Sequence, residues 1–167
     1  MDKSSLLTAA RLRELLHYSP ESGVFTWIVR PSNNVHIGDT AGCRGSKGYL
    51  YIATNRRLYL AHRLAWLYMR GEWPTAQIDH VDGIRGNNRF SNLREATSSQ
   101  NMQNQRRARM NNRSGLLGVS RSGAKGPWIA RICVDKEERV LGRFPTPELA
   151  HAAYLQAKRE LHSHCAI

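Results

Sequence analysis

The chain has 167 residues, room for one ordinary domain or two small ones, and its 41% hydrophobic content supports a packed core and excludes wholesale disorder. Twenty-five Lys and Arg against 13 Asp and Glu leave a net charge of +12, which points to a polyanionic partner and says nothing about fold. No apolar run approaches a membrane span and no basic start with an apolar stretch marks a signal peptide, so an intracellular protein with no membrane partner is expected. Cys43, Cys133 and Cys165 are odd in number and far apart, which fits neither a disulfide framework nor paired zinc-ligand spacing.

Thr8 can cap a short helix with Leu12, Leu15 and Leu16 on one face. Pro20 and Gly23 then turn the chain into a strand from Val24 to Ile28. Residues 31–48, rich in Gly, Ser and Asn, read as loop. Tyr49 to Ala53 and Leu58 to Leu60 flank Asn55-Arg56-Arg57 as a hairpin. From Ala61 to Arg70, Leu64, Leu67 and Tyr68 (with Trp66) form an apolar helical stripe that Gly71 and Pro74 stop. Two extended runs follow, around Ile78–Asp82 and Leu93–Ala96, joined through Gly83, Gly86, Asn87 and Asn88. Thr97-Ser98-Ser99-Gln100 has the spacing of a capping box and opens a helix. The stretch from Arg106 to Gly115 is basic, then polar, and reads either as a solvated helix end or as a phosphate-binding linker. Three short strands come next, Leu116 to Arg121, Trp128 to Val134 and Arg139 to Phe144, with Asp135-Lys136-Glu137 turning the second pair. Thr146-Pro147-Glu148 starts a last helix, with Leu149, Ala153, Ala157 and Leu161 at helical spacing. The fold class is α+β, in two parts.

The stretch from Ile78 to Asn104 holds the residues suited to phosphodiester hydrolysis. That reaction needs a base for water and a cation for the charge on phosphate and leaving oxygen. His80 is the residue type suited to the base, since an ordinary histidine has its pKa near neutrality. Asp79 and Asn101 are hard oxygen donors of the kind Mg²⁺ takes, and Asn104 lies one turn from Asn101 on the same helix face as an accessory polar group. Adjacent strand residues point to opposite faces, so Asp79 and His80 share a site only if the backbone bends between them.

Ile78-Asp79-His80-Val81-Asp82-Gly83, Asn87-Asn88, Ser91-Asn92-Leu93-Arg94, Ala96-Thr97 and Asn101 with Asn104 together resemble the HNH (His-Me finger) endonuclease motif, in the form found in phage homing nucleases. The resemblance implies a ββα finger holding one divalent metal, with His80 as general base and Asp79 and Asn101 as metal ligands. It implies that Asn92, the middle motif residue, orients the histidine loop by hydrogen bonds. The last position is Asn101 instead of the family's His, which favours Mg²⁺ or Mn²⁺ over zinc. Leu12 to Leu16, Gly48-Tyr49-Leu50 and Ala61 to Trp66 are similar to the region before the motif, so the likeness covers most of residues 8–105. His62 reads either as a packing histidine or as a group that reaches phosphate or contacts the finger.

The last segment, about Asn112 to His162, resembles the AP2 DNA-binding domain through Ser114 to Val119, Trp128 to Ile132, Leu141 to Phe144 and Glu148 to Tyr154. Such domains lay a three-stranded sheet in the major groove with a helix behind. Strand period puts Trp128, Ala130, Ile132 and Val134 on the helix side and Ile129, Arg131 and Cys133 on the other. Arg131 is therefore the first candidate for base contact, with Arg121, Arg139 and Arg143 after it. The family's Arg before Gly-Val is Leu117 here.

The expected organisation is an HNH nuclease domain at 1–109 (finger about 78–109), a linker at 110–115, an AP2-like domain at 116–162 and a tail at 163–167. The expected function is DNA cleavage by a one-metal HNH mechanism, as a phage-type homing nuclease or nickase. Mg²⁺ is the expected cofactor, with Mn²⁺ able to substitute. Double-stranded DNA is the expected partner, held also by Arg106, Arg107 and Arg109. A monomer in the cytoplasm of a bacterial, phage-infected cell is expected. The rivals are a non-catalytic AP2-type DNA-binding regulator carrying a structural finger, and an RNA-binding or RNA-processing protein.

Overall fold

In the computed structural model, residues 7–106, 108, 112–134 and 137–162 are described. Arg107, Arg109, the Asp135-Lys136 part of the expected turn, and the tail with His164 and Cys165 lie outside the described residues. The chain divides into two compact units, Met1–Ala96 and Thr97–Ile167. The sequence places the boundary instead at 110–115, after a finger ending near 109. The division separates the two strands of that finger from its helix.

In the first unit the Thr8 hydroxyl accepts from the Arg11 amide and opens α1 (Ala9–Leu15). Leu16, expected on the helix face, leaves the helix and begins β1 (Leu16–Ser19), which pairs antiparallel with β2 (Val24–Trp27). Leu16 fits both periods, since its side chain reaches the core either way. Within the expected loop, Cys43–Arg44 form a short strand, β3, alongside β4 (Leu50–Thr54), and β4 pairs with β5 (Arg57–Leu60). Asn55 and Arg56 turn the β4–β5 hairpin with φ of 50° and 57°, the left-handed pair that matches strand twist in a two-residue turn. Helix α2 (Ala61–Arg70) follows, and the Gly71 amide closes it on Leu67. The core joins Leu12, Leu16, Phe25, Ile52, Leu64 and Leu67 with Ile78 and Leu93. The last two come from β6 (Gln77–His80) and β7 (Leu93–Ala96), an antiparallel pair whose register sets Asp79 opposite Arg94 and His80 opposite Leu93. Burial of these apolar side chains anchors the strands that carry the polar residues.

The second unit opens with α3 (Ser98–Gln103), capped as its sequence predicts: the Gln100 amide donates to the Thr97 hydroxyl and the Thr97 amide to the Gln100 side chain. A three-stranded antiparallel sheet follows, ordered β10 (Glu137–Phe144), β9 (Trp128–Val134), β8 (Val119–Arg121). The first strand is shorter than expected, because Leu116 and Leu117 belong to the turn before it. Helix α4 (Pro147–Leu161) starts at Thr146 with Pro147 in its first turn. Its buried positions are Ala150, Tyr154 and Lys158, whereas Leu149 and Leu161 are exposed and Ala153 and Ala157 only partly covered. The expected stripe is therefore turned by one residue. Lys158 donates its ammonium to the Gln105 carbonyl, which ties the segment after α3 to α4. His162 caps α4, is buried and meets the Cys133 carbonyl through Nε2 at 2.9 Å.

Candidate active site

Ile78 is buried in the core of the first unit, and the period of two along β6 sets Asp79 and His80 among different neighbours. Asp79 is 6% exposed, and its Oδ2 accepts from Arg94 Nε at 3.0 Å and Nη2 at 2.9 Å. Cross-strand register places the two side chains directly opposite. His80 is 4% exposed; its Nε2 lies 3.0 Å from Asn88 Oδ1. An amide oxygen only accepts, so in this pairing Nε2 is the donor. The His80 ring also meets the His62 ring edge-on, with centroids 5.1 Å apart, and the Tyr49 ring at 6.2 Å.

The loop between β6 and β7 is tied by amide chemistry. Asn92 Oδ1 accepts from the Asp82 amide at 2.9 Å, and Asn92 Nδ2 donates to Asp82 Oδ1 at 3.0 Å and to the Asn87 carbonyl at 2.8 Å. The Val81 amide reaches the Asn92 carbonyl, so one residue holds both sides of the loop that follows His80. Asp82 also accepts from the Ile84 amide and from Asn87 Nδ2. Burial pushes the Asp82 carboxyl up, but these donors outweigh burial and hold it below the usual carboxylate range.

A second support comes from the far end of the unit. The Tyr18 hydroxyl donates to the Asn88 carbonyl at 2.6 Å, and the Phe90 amide donates to the Pro20 carbonyl at 3.0 Å. Burial raises the Tyr18 phenol to about 12, so it stays a donor. Gly23 takes φ of +75°, and a Cβ on it would stand 2.4 Å from the Asn88–Arg89 peptide. The β1–β2 turn can press on the Asn88 backbone only because that residue has no side chain. His62 is buried, with no hydrogen bond to Nδ1, and burial, then the neighbouring His80 and Arg63, pull its imidazole down to about 3.

Residues 59–103 match the family model of HNH endonucleases. The matched segment spans β5, α2, β6, β7 and α3. No curated protein and no solved structure matches the chain. The HNH match supports a nuclease, a hydrolase acting on DNA. It takes in Asp79, His80, Asn92 and Asn101; Asn104 falls just beyond it.

Of the residues singled out in the sequence, the first unit brings Asp79, His80 and Asn92 into the strands and loop just described. Asn101 and Asn104 belong to the second unit, on α3 and at its C-cap. Among the described residues no group of three or more His, Cys, Asp or Glu gathers as a metal cluster. In the first unit the Asp79 carboxylate is a hard oxygen donor of the kind a divalent ion takes. No helix among the described residues is long and apolar enough to cross a membrane.

The HNH-matched segment also contains groups that the sequence reading left without a role. Asn88 stood in the quoted motif, but its bond to His80 depends on loop closure over eight residues. Arg94 is readable as a cross-strand partner only once register is known. Tyr18 and Gly23 lie outside the matched segment and carry no local signal for this site.

The C-terminal arginines separate by face. Register pairs Arg143 with Ile129 and Val140 with Arg131, which sets Arg131 and Arg143 on the side away from α4. Arg131 there meets Glu138 at 3.2 Å. Arg121 and Arg139 are instead paired with Trp128 and Ile132, on the helix side, and Arg121 lies over the Trp128 ring at 5.1 Å. Arg106 is exposed after α3.

Proposed function

We propose that the chain is an HNH-type DNA endonuclease in which His80 is the general base. The reading is carried by the bond from His80 Nε2 to Asn88 Oδ1 at 3.0 Å, inside the matched segment. That bond fixes the imidazole ring, and His80 would take a proton from the attacking water. Asn92 holds the following loop so that the ring keeps its aim. Asp79 and, by resemblance, Asn101 would hold a divalent metal, with Asn104 as accessory; Mg²⁺ is proposed and Mn²⁺ should replace it. When bound, the ion would neutralise charge on the phosphate and on the departing 3′ oxygen. Arg94, through two hydrogen bonds to Oδ2, fixes the Asp79 carboxylate in direction. The products would be 5′-phosphate and 3′-hydroxyl ends, made by a homing nuclease or nickase.

DNA would be held by the sheet face that carries Arg131 and Arg143, in the manner of AP2 domains, with Arg106 adding phosphate contact. Arg121 and Arg139, on the other face, are demoted from base readers to contacts at the sheet margin. The rival, a non-catalytic DNA-binding regulator, draws on one observation: Asp79 is engaged by Arg94 through two hydrogen bonds. Supercoiled plasmid incubated with Mg²⁺ or with EDTA separates the two. Nicked or linear product with Mg²⁺ only, and ends of the stated chemistry, is expected. Full activity in excess EDTA would refute the metal mechanism. Tight DNA binding without cleavage in either metal would favour the regulator.

A further inference from the structure

The DNA contacts proposed above lie beyond Ala96. The first unit carries a separate set of cations. Arg44 ends β3, and Lys47 stands in the turn closed by the Gly48 amide on the Gly45 carbonyl at 2.9 Å. Arg85 stands in the loop after His80, and all three side chains are exposed. Arg85 Nη1 donates to the Lys47 carbonyl at 2.9 Å, and its guanidinium lies 4.9 Å from the centre of the Tyr49 ring. The Arg44 guanidinium packs on Gly86, where an added Cβ would stand 2.9 Å from Nη2. Glycine at 86 is what permits that approach.

Two segments distant in sequence thus set the Arg44 guanidinium on Gly86 and the Arg85 guanidinium on the turn that carries the exposed Lys47. Among the described residues none of the three has an ion-pair partner. Asp82, the acid of the same loop, spends its carboxylate on Ile84, Asn87 and Asn92. Like charges gathered without a counterion repel, and a polyanion relieves the repulsion. The cluster also borders the candidate base: the Tyr49 ring under Arg85 lies 6.2 Å from the His80 ring and 5.4 Å from the His62 ring. Tyr49 is the platform that holds Arg85 in place.

We infer that Arg44, Lys47 and Arg85 form a phosphate-holding site that grips the DNA backbone beside His80. Its use in cleavage rests on the nuclease reading; its existence does not, because binding is measured in EDTA without cleavage. The experiment titrates a non-specific DNA duplex with full-length protein over a KCl series. Each of R44Q, K47Q and R85Q should lower the slope of log affinity against log salt by about 0.9, and the triple variant by roughly 2–3. R85K keeps the charge and should keep the slope. Thermal melts followed by circular dichroism show that each variant is folded, and the single variants serve if the triple one is not. An unchanged slope in folded variants overturns the site, and so does a wild type without salt-dependent duplex binding. A loss with R85K equal to that with R85Q would trace the slope to loop structure and overturn it as well. Lowered slopes in a protein that never cuts plasmid would leave the phosphate site standing and remove the nuclease reading.

Discussion

Asn88 is 1% exposed; its side-chain oxygen meets His80 and its main-chain oxygen takes the Tyr18 hydroxyl. Removing the amide with Asn88→Ala leaves the backbone contact and frees the ring, so cleavage should fall by about a hundredfold while duplex binding holds. A kcat within twofold of wild type would take Asn88 out of the site. Gly23→Ala tests the support behind it. A Cβ cannot fit against the Asn88–Arg89 peptide, and φ of +75° is strained for any L side chain. Destabilisation of about 1–3 kcal/mol is expected, read as a lower urea midpoint with unchanged slope. Asp79, His80 and Asn92 could be singled out as candidates in the sequence because chemistry and spacing sit together in one window. Arg94, Tyr18 and Gly23 could not, because their roles exist only after strands pair and a turn folds back over 70 residues.

Elements were legible where a few adjacent residues decide them. Thr97 and Gln100 predict their own reciprocal bonds, and Thr146-Pro147 predict the start of α4. The phase of α4 was not, because the residues that bury, Ala150 and Lys158, carry weak or contrary hydropathy. The Lys158 stem packs while its ammonium finds a carbonyl, which a sequence pattern scores as polar surface. The β4–β5 hairpin was placed correctly, but its turn holds Arg56 at φ of 57° without glycine. Arg56→Gly should relieve about 1 kcal/mol of left-handed strain, which a chain of this size shows as a melting rise of roughly 2–4 °C. No rise in the melting temperature would mean the turn is not strained.

In the whole molecule, composition pointed to a polyanion and the strand–helix pattern restarting after Gly115 pointed to a second part, and both strand–helix regions formed. The bond of Lys158 to the Gln105 carbonyl joins residues 53 apart and leaves no local signal in the sequence. Acid sensitivity is also a property of the assembled unit. His62 has an ordinary imidazole value of 6.5 and holds about 3 when folded. Below 6.5 the unfolded chain takes a proton that the folded chain refuses, so stability present above 6.5 falls as pH drops toward 3, by up to about 5 kcal/mol. Asp82, held below the usual carboxylate range, adds loss in the same direction at the acid end. Denaturant titrations of His62→Phe across this window should show a flatter pH dependence than wild type, and equal slopes would show that His62 is not the sensor.

The central claim is that His80 removes a proton from water during DNA cleavage. The most direct measurement compares wild type and His80→Ala on supercoiled plasmid with Mg²⁺ at protein concentrations that saturate the DNA, with affinity measured separately. Cleavage is expected to fall by roughly 10²–10⁴-fold while the dissociation constant for duplex stays within a few-fold of wild type. Turnover by folded His80→Ala close to wild type would contradict the claim.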